Sequence, residues 1–191
     1  MNTLTGEGLT GAEVLEFFRR STGNLVEAAL KAKVNHYVAL SVVGADELPD
    51  SGYLRAKVAQ EVLIRNSDLS YPIVRATQFL EFAAAIADTA TVDSVVRLPG
   101  AGTQPIAAAD VARAVAHAAE EPPANGIIEI GGPDVLPIDE WIRRVLTARD
   151  DSRKVVTDPT AKYFGTLLGA DSLVPATQAP RGTVPLTEWL A

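Results

Sequence analysis

Three short runs of aliphatic and β-branched residues set the fold class. They are HYVALSVV at 36–43, YPIVRAT at 71–77 and GIIEIGGP at 126–133. Each lacks the alternation of a half-exposed strand, so each predicts a strand buried on both faces. The stretches between them have helical spacing. Residues 12–32 carry Val14, Phe17, Phe18, Leu25, Ala28 and Ala29 near every third and fourth place, which predicts a helix that buries them. Residues 53–66 read as a helix with Ser51 as N-cap, and residues 79–89 as another. VVRLPG at 95–100 is a shorter strand. Asp110 is placed to cap a helix that Pro122 and Pro123 end. Asp139 to Ala148 is amphipathic and carries Trp141. Beyond it, Pro and Gly punctuate the chain, with short helical pieces expected near 160–168 and 186–190. Strands alternating with helices imply an α/β fold with a small, mainly parallel sheet of about three to five strands.

Composition narrows the function classes. The chain has 191 residues, enough for one domain with a real core. It has no cysteine, which excludes disulfides and thiolate chemistry and fits a reducing compartment, the cytoplasm. The net charge is −7 and no basic stripe is present, so nucleic acid is not an expected partner. No apolar stretch approaches a membrane span, and the first residues carry no signal-peptide pattern. The two histidines, His36 and His117, lie far apart in sequence, so no metal site is expected and both read as structural or surface groups. Asp88, Asp93 and Asp110 fall on separate elements and read as solvated or capping groups. Trp141 and Trp189 read as packing anchors. Glu27 and Lys31 form an i,i+4 pair on the exposed face of the first helix.

One constellation carries chemistry. In SGYLRAK, Tyr53 and Lys57 are four apart and share a helix face. A phenol is too weak an acid for proton transfer near neutrality, and a nearby ammonium lowers its pKa. Ser41 sits at the end of the first buried strand, just before that helix. In an open parallel sheet the carboxyl ends of strands face the ligand crevice. A serine, a tyrosine and a lysine so placed can hold and protonate one substrate oxygen.

These residues resemble the short-chain dehydrogenase/reductase superfamily, in its extended or atypical, NmrA-like branch. STGNLVEAALKAKVNHYVALSVVG is similar to the family's helix and fifth strand, SGYLRAK to its YxxxK helix, and YPIVRATQFLEF to its sixth strand and following loop. TQPIAAADVARAVAHAAE and GGPDVLPIDEWIRRVL resemble its later helix start and its substrate-side region. The resemblance implies a Rossmann sheet, NAD or NADP as cofactor, and hydride transfer. It implies Tyr53 as general acid/base, Lys57 lowering its pKa and holding a ribose hydroxyl, and Ser41 orienting the substrate oxygen. Ala76, Thr77, Gln78 and Phe79 would line the nicotinamide and substrate pocket, and Tyr163 and Phe164 fall where the family's substrate lid would be. Phe18 stands where the family uses an asparagine. The family's first strands and their glycine-rich turn have no counterpart ahead of the first helix.

Gly6 to Gly11 spells GxGxxG, but no buried strand precedes it, so residues 1–11 read as a polar leader. Residues 12–133 would form a partial Rossmann-like domain, and residues 134–191 a substrate-side region of the same unit. Without its usual neighbour, the strand at 36–43 becomes an apolar sheet edge. Such an edge invites a second chain, so a homo-oligomer through this side is expected. The residues leave two readings open. One is an NAD(P)-dependent oxidoreductase of small-molecule substrates. The other is a non-catalytic NmrA-like binding module, or a relic, that lost the dinucleotide site.

Overall fold

The computed structural model describes residues 11–191. The GxGxxG stretch therefore lies outside the described residues, apart from Gly11. The chain opens with α1 (Gly11–Lys31), β1 (Ala39–Val42), α2 (Gly52–Arg65) and β2 (Pro72–Ala76). A 3-10 turn (Leu80–Phe82) leads into α3 (Ala83–Thr89), β3 (Thr91–Val92), β4 (Val95–Leu98) and β5 (Gly102–Thr103). Then come α4 (Ala108–Glu120), β6 (Gly126–Ile130), β7 (Leu136–Pro137), α5 (Ile138–Ala148), β8 (Lys154–Thr157) and α6 (Leu186–Trp189).

The three runs form one parallel sheet in the order β1-β2-β6, but only β2 is buried along its whole length; β1 and β6 are its edges, and they leave Leu40 40% and Ile127 39% exposed. Helices α1 and α2 cover one face through Ile64, Ala39 and Ile73, with Val26 packed alongside. Helix α4 covers the other through Val74, Ala76, Ile130 and Val111. Two helical layers around a parallel sheet are the expected α/β arrangement. A second sheet, β3-β4-β8, packs on α5, whose Ile138, Trp141, Ile142 and Val145 are fully buried with Val96 and Leu98. Strands β5 and β7 pair separately.

Several local expectations change. The exposed apolar side of α1 is larger than its periodicity implies. Val14, Thr22 and Ala29 are buried, but Phe17 is 49% and Leu25 57% exposed. The helix packs chiefly on α2. Asp110 is not the cap of α4; Ala107 holds that position. The Asp110 carboxylate instead accepts bonds from the Thr183 and Val184 N–H groups at 3.0 and 3.1 Å, and so pins the C-terminal segment to the helix. Burial pushes this carboxyl up, but those donors and Arg113 outweigh it and hold it below its ordinary value. Residues 160–168 are not helical. Tyr163 and Thr166 bridge across a two-residue turn, because Phe164 and Gly165 both take positive φ. The strand β8 lies in the Pro- and Gly-punctuated stretch and had no expectation. His36 precedes β1 rather than opening it.

One polar pair lies deep in the sheet–helix interface. Arg75 of β2 faces α2, where its Nε and NH2 donate to both oxygens of Glu61 at 2.9 and 2.7 Å. Its third nitrogen donates to Asp46 at 2.9 Å. The side chains of Arg75 and Glu61 are only 7% and 3% exposed. A buried charge is tolerated only when paired and hydrogen-bonded. Arg75→Met should therefore cost about 3–5 kcal/mol of stability by leaving Glu61 alone, while Arg75→Met with Glu61→Leu should regain most of it. Urea titration of the two variants distinguishes the outcomes; equal destabilisation of both would show that the pairing is not what matters.

Candidate active site

The carboxyl end of β1 turns sharply at Gly44. Its φ is +77°, and a Cβ there would meet the Ser172 carbonyl oxygen at 2.0 Å. The turn leaves Ser41 buried at the strand end, 6% exposed. Its Oγ has no hydrogen-bond partner among the described residues. The chain then enters α2, where the Ser51 hydroxyl accepts the Leu54 N–H and starts the helix. This start sets Tyr53 in the first turn and Lys57 one turn on.

Ser41, Tyr53, Lys57, Ala76, Thr77, Gln78 and Phe79, which the sequence singled out, all line one cavity of about 380 Å³. The Tyr53 ring lies between two other aromatics. Phe18 meets it edge-on at 6.2 Å, and Phe164 lies tilted at 6.2 Å on another side. Phe164 in turn packs edge-on against Tyr163 at 4.6 Å. On the β2 side, Phe79 stacks on Phe82 with ring centres 5.3 Å apart.

The polar groups of this wall are mostly engaged. Thr77 Oγ1 donates to the Gln104 carbonyl at 2.5 Å, and Gln78 Oε1 accepts the Thr103 hydroxyl at 2.9 Å. Burial raises the Tyr163 pKa above the ordinary tyrosine value, with Gln78 opposing in part. Lys57 Nζ donates to the Leu40 carbonyl at 2.8 Å and to Gln60, and lies 5.1 Å from the Phe18 ring centre.

The electrostatics differ from the sequence expectation. Lys57 was expected to lower the Tyr53 pKa. Burial instead pushes the Tyr53 phenol up from its ordinary value. Burial also brings Lys57 down to about 8, with Glu61 opposing in part. The ammonium donates to the Leu40 carbonyl and to Gln60, which leaves one of its three N–H groups for a ligand. Phe82 joins the site without a sequence signal, since an aromatic three residues after Phe79 reads as core. Arg75 behind the site did have a signal: a lone arginine in a buried strand needs a carboxylate. A second hollow of about 400 Å³ opens on the α4 side and contains none of the predicted site residues.

An open parallel sheet with a pocket at its strand ends defines a Rossmann-type nucleotide-binding unit. The family model described as NAD(P)H-binding matches residues 3–122, and the chain belongs to that family. The resemblance to short-chain dehydrogenases is borne out at this level, and NAD or NADP is the cofactor class. No protein of curated function matches the sequence. Among solved structures, the enzyme WbmH of Bordetella bronchiseptica, in complex with NAD+, is 18% identical, with a TM-score of 0.60 over 89% of this chain and 64% of its own. The UDP-glucose 4-epimerase of Thermotoga maritima, with UDP-glucose, is 16% identical, with a TM-score of 0.67 over 94% of this chain and 69% of its own. An NADPH-dependent quinone oxidoreductase of Escherichia coli is 17% identical, with a TM-score of 0.63 over 88% of this chain and 71% of its own. These likenesses show the fold. The chain thus spans 64% of the length of WbmH.

The residues present fit the nicotinamide end of the cofactor. The cavity is open at the strand ends, Ser41 offers a free buried hydroxyl, and Lys57 reaches its floor. Among the described residues, no helix is long and apolar enough to cross a membrane, and no cluster of metal ligands occurs.

Two measurements check this geometry. A buried hydroxyl without a partner costs about 1–3 kcal/mol. Ser41→Ala should therefore leave the apo protein as stable as wild type, or more stable by about 1 kcal/mol. A clear loss on urea unfolding would mean that Ser41 bonds within the fold. For Lys57, the folded pKa of about 8 lies below the ordinary 10.5. Between those values the unfolded chain binds more protons, so stability rises with pH across the window. Below it, the penalty of burying the charge is present in full. Against Lys57→Met, wild type should gain roughly 3 kcal/mol over that window, at about 1.4 kcal/mol for each pKa unit. A flat difference would place the lysine in solvent.

Proposed function

We propose that this chain is an NAD(P)-dependent oxidoreductase of the short-chain type, acting in the direction of carbonyl reduction. The observation that carries the reading is a cavity lined by two hydroxyl-bearing side chains, Ser41 and Tyr53. The unpartnered Ser41 Oγ and the Tyr53 phenol open into one cavity at the strand ends. Ser41 holds the carbonyl oxygen, and Tyr53 gives it a proton. Burial keeps the phenol protonated through neutral pH, which suits an acid better than a base. Lys57 serves the ribose side, and Ala76, Thr77, Gln78 and Phe79 shape the nicotinamide wall. A bound dinucleotide would supply the hydride. The molecule works in a reducing compartment, the cytoplasm, and self-associates along the β1 edge, where Leu40 is 40% exposed.

A second reading is an NmrA-like module that binds NAD(P)H without turnover. It is favoured by Phe18 in the asparagine's place and by the tie of Lys57 to Leu40.

Titration with NADH and with NADPH, followed by nicotinamide fluorescence, tests both readings. Micromolar binding should weaken about tenfold in Lys57→Ala, a loss of one charge-assisted hydrogen bond. Tyr53→Phe should bind as wild type does and lose carbonyl reduction. Binding by a wild type that turns nothing over would select the second reading. No binding at millimolar dinucleotide would sink both.

A further inference from the structure

We infer that the pocket beside Ser41 and Tyr53 takes a planar, apolar carbonyl compound with one reacting oxygen, an aryl ketone or aryl aldehyde. This rests on the oxidoreductase reading and names its substrate class.

The first support is the polar inventory. Thr77 and Gln78 are bonded to Gln104 and Thr103. Lys57 is committed to Leu40 and Gln60. The third Lys57 N–H serves the ribose side, and the Ser41 and Tyr53 hydroxyls stand for the reacting oxygen. A carbonyl oxygen only accepts and has two lone pairs, so it is satisfied when both hydroxyls donate to it. A ligand with more polar atoms would bury them without partners, at about 1–3 kcal/mol each.

The second support is charge. Among the described residues, Lys57 is the single charged side chain of the lining. A nucleotide sugar brings a diphosphate, which needs cations or a cradle of N–H groups. This wall offers Leu54, Phe82, Ile86 and Leu173 instead.

The third support is shape. The Phe79–Phe82 pair, stacked with 1° between ring planes, forms one wall. Phe164 with Tyr53 and Tyr163 forms another. Flat aromatic surfaces favour a flat guest through offset or edge contacts. Phe164 is held there by its backbone: its φ is 46°, with Gly165 at 85°, which fits the two-residue hairpin turn. A side chain kept at such a φ carries strain of order 1 kcal/mol, and a packing role explains it.

The reaction balances with the reduced dinucleotide as co-reactant. The carbonyl carbon accepts a hydride, two electrons and one hydrogen, from the nicotinamide. The π pair of the C=O bond moves to oxygen, which takes the Tyr53 proton. The products are an alcohol and the oxidised dinucleotide, and Tyr53 regains a proton from water.

Saturation-transfer NMR on the full chain with acetophenone, menadione and UDP-glucose as separate probes tests the class. NADH and NADPH binding is measured independently by fluorescence. Acetophenone should bind and UDP-glucose should not. Phe164→Gly suits the turn and removes the ring, so the fold should hold while acetophenone affinity falls about tenfold, the worth of one aromatic contact. Ser41→Ala should lower the rate of acetophenone reduction about a hundredfold. Tighter binding of UDP-glucose or menadione than acetophenone would overturn the inference. So would acetophenone binding untouched by both substitutions. If acetophenone binds and neither dinucleotide does, the pocket assignment stands and the oxidoreductase reading falls. If a dinucleotide binds and UDP-glucose displaces acetophenone, the reverse holds.

Discussion

The bidentate pair between Arg75 and Glu61 fixes the molecule's working geometry. It joins the middle strand of the sheet to the third turn of α2, at a place where neither charge meets water. Apolar contacts such as Ile64 on Ile73 would let the helix slide by small steps. A planar guanidinium on a planar carboxylate would not, because both hydrogen bonds demand one orientation. The helix therefore presents Tyr53 and Lys57 at a set height over the end of β1. The same Glu61 lies one turn from Lys57 and partly sustains its charge. Structure and chemistry share one buried carboxylate.

From that constraint the site assembles from separate parts of the chain. Helix α1 brings Phe18, the end of β1 brings Ser41, and α2 brings Tyr53. The end of β2 brings the Phe79 wall, and a distant turn brings Phe164. Each part is held by a local rule. A positive-φ glycine ends β1, a serine starts α2, and a two-residue turn carries Phe164. The pocket is what remains between them. Its walls are apolar because the polar atoms nearby bond to the scaffold. That arrangement leaves Ser41 and Tyr53 as its points of chemical address.

Much of this was legible in the sequence. The three apolar runs give the parallel sheet, and β2, covered on both faces, is the one whose continuous apolar sequence matches its burial. The i,i+4 spacing of Tyr53 and Lys57 brings them together because α2 is regular. What was not legible depends on distant partners. Asp110 looks like a cap, since aspartate favours helix starts, yet its donors are Thr183 and Val184, far along the chain. Leu25 looks buried, since it shares the stripe of Thr22 and Ala29, yet it is largely exposed. Residues 160–168 look helical because periodicity cannot register positive φ at Phe164. The direction of the Tyr53 shift depends on burial and on where Lys57 points, and spacing reports neither.

The position of Phe164 has an evolutionary consequence. It stands at a hairpin tip whose only described ladder is the bridge between Tyr163 and Thr166. The residues that determine stability, such as Trp141 and the Arg75 pair, lie elsewhere. Lengthening or shortening that tip would redraw one wall of the pocket without disturbing the sheet. A lineage built on this scaffold could thus change the molecules it accepts by editing a surface turn, while the proton-handling pair stays where the sheet and α2 hold it.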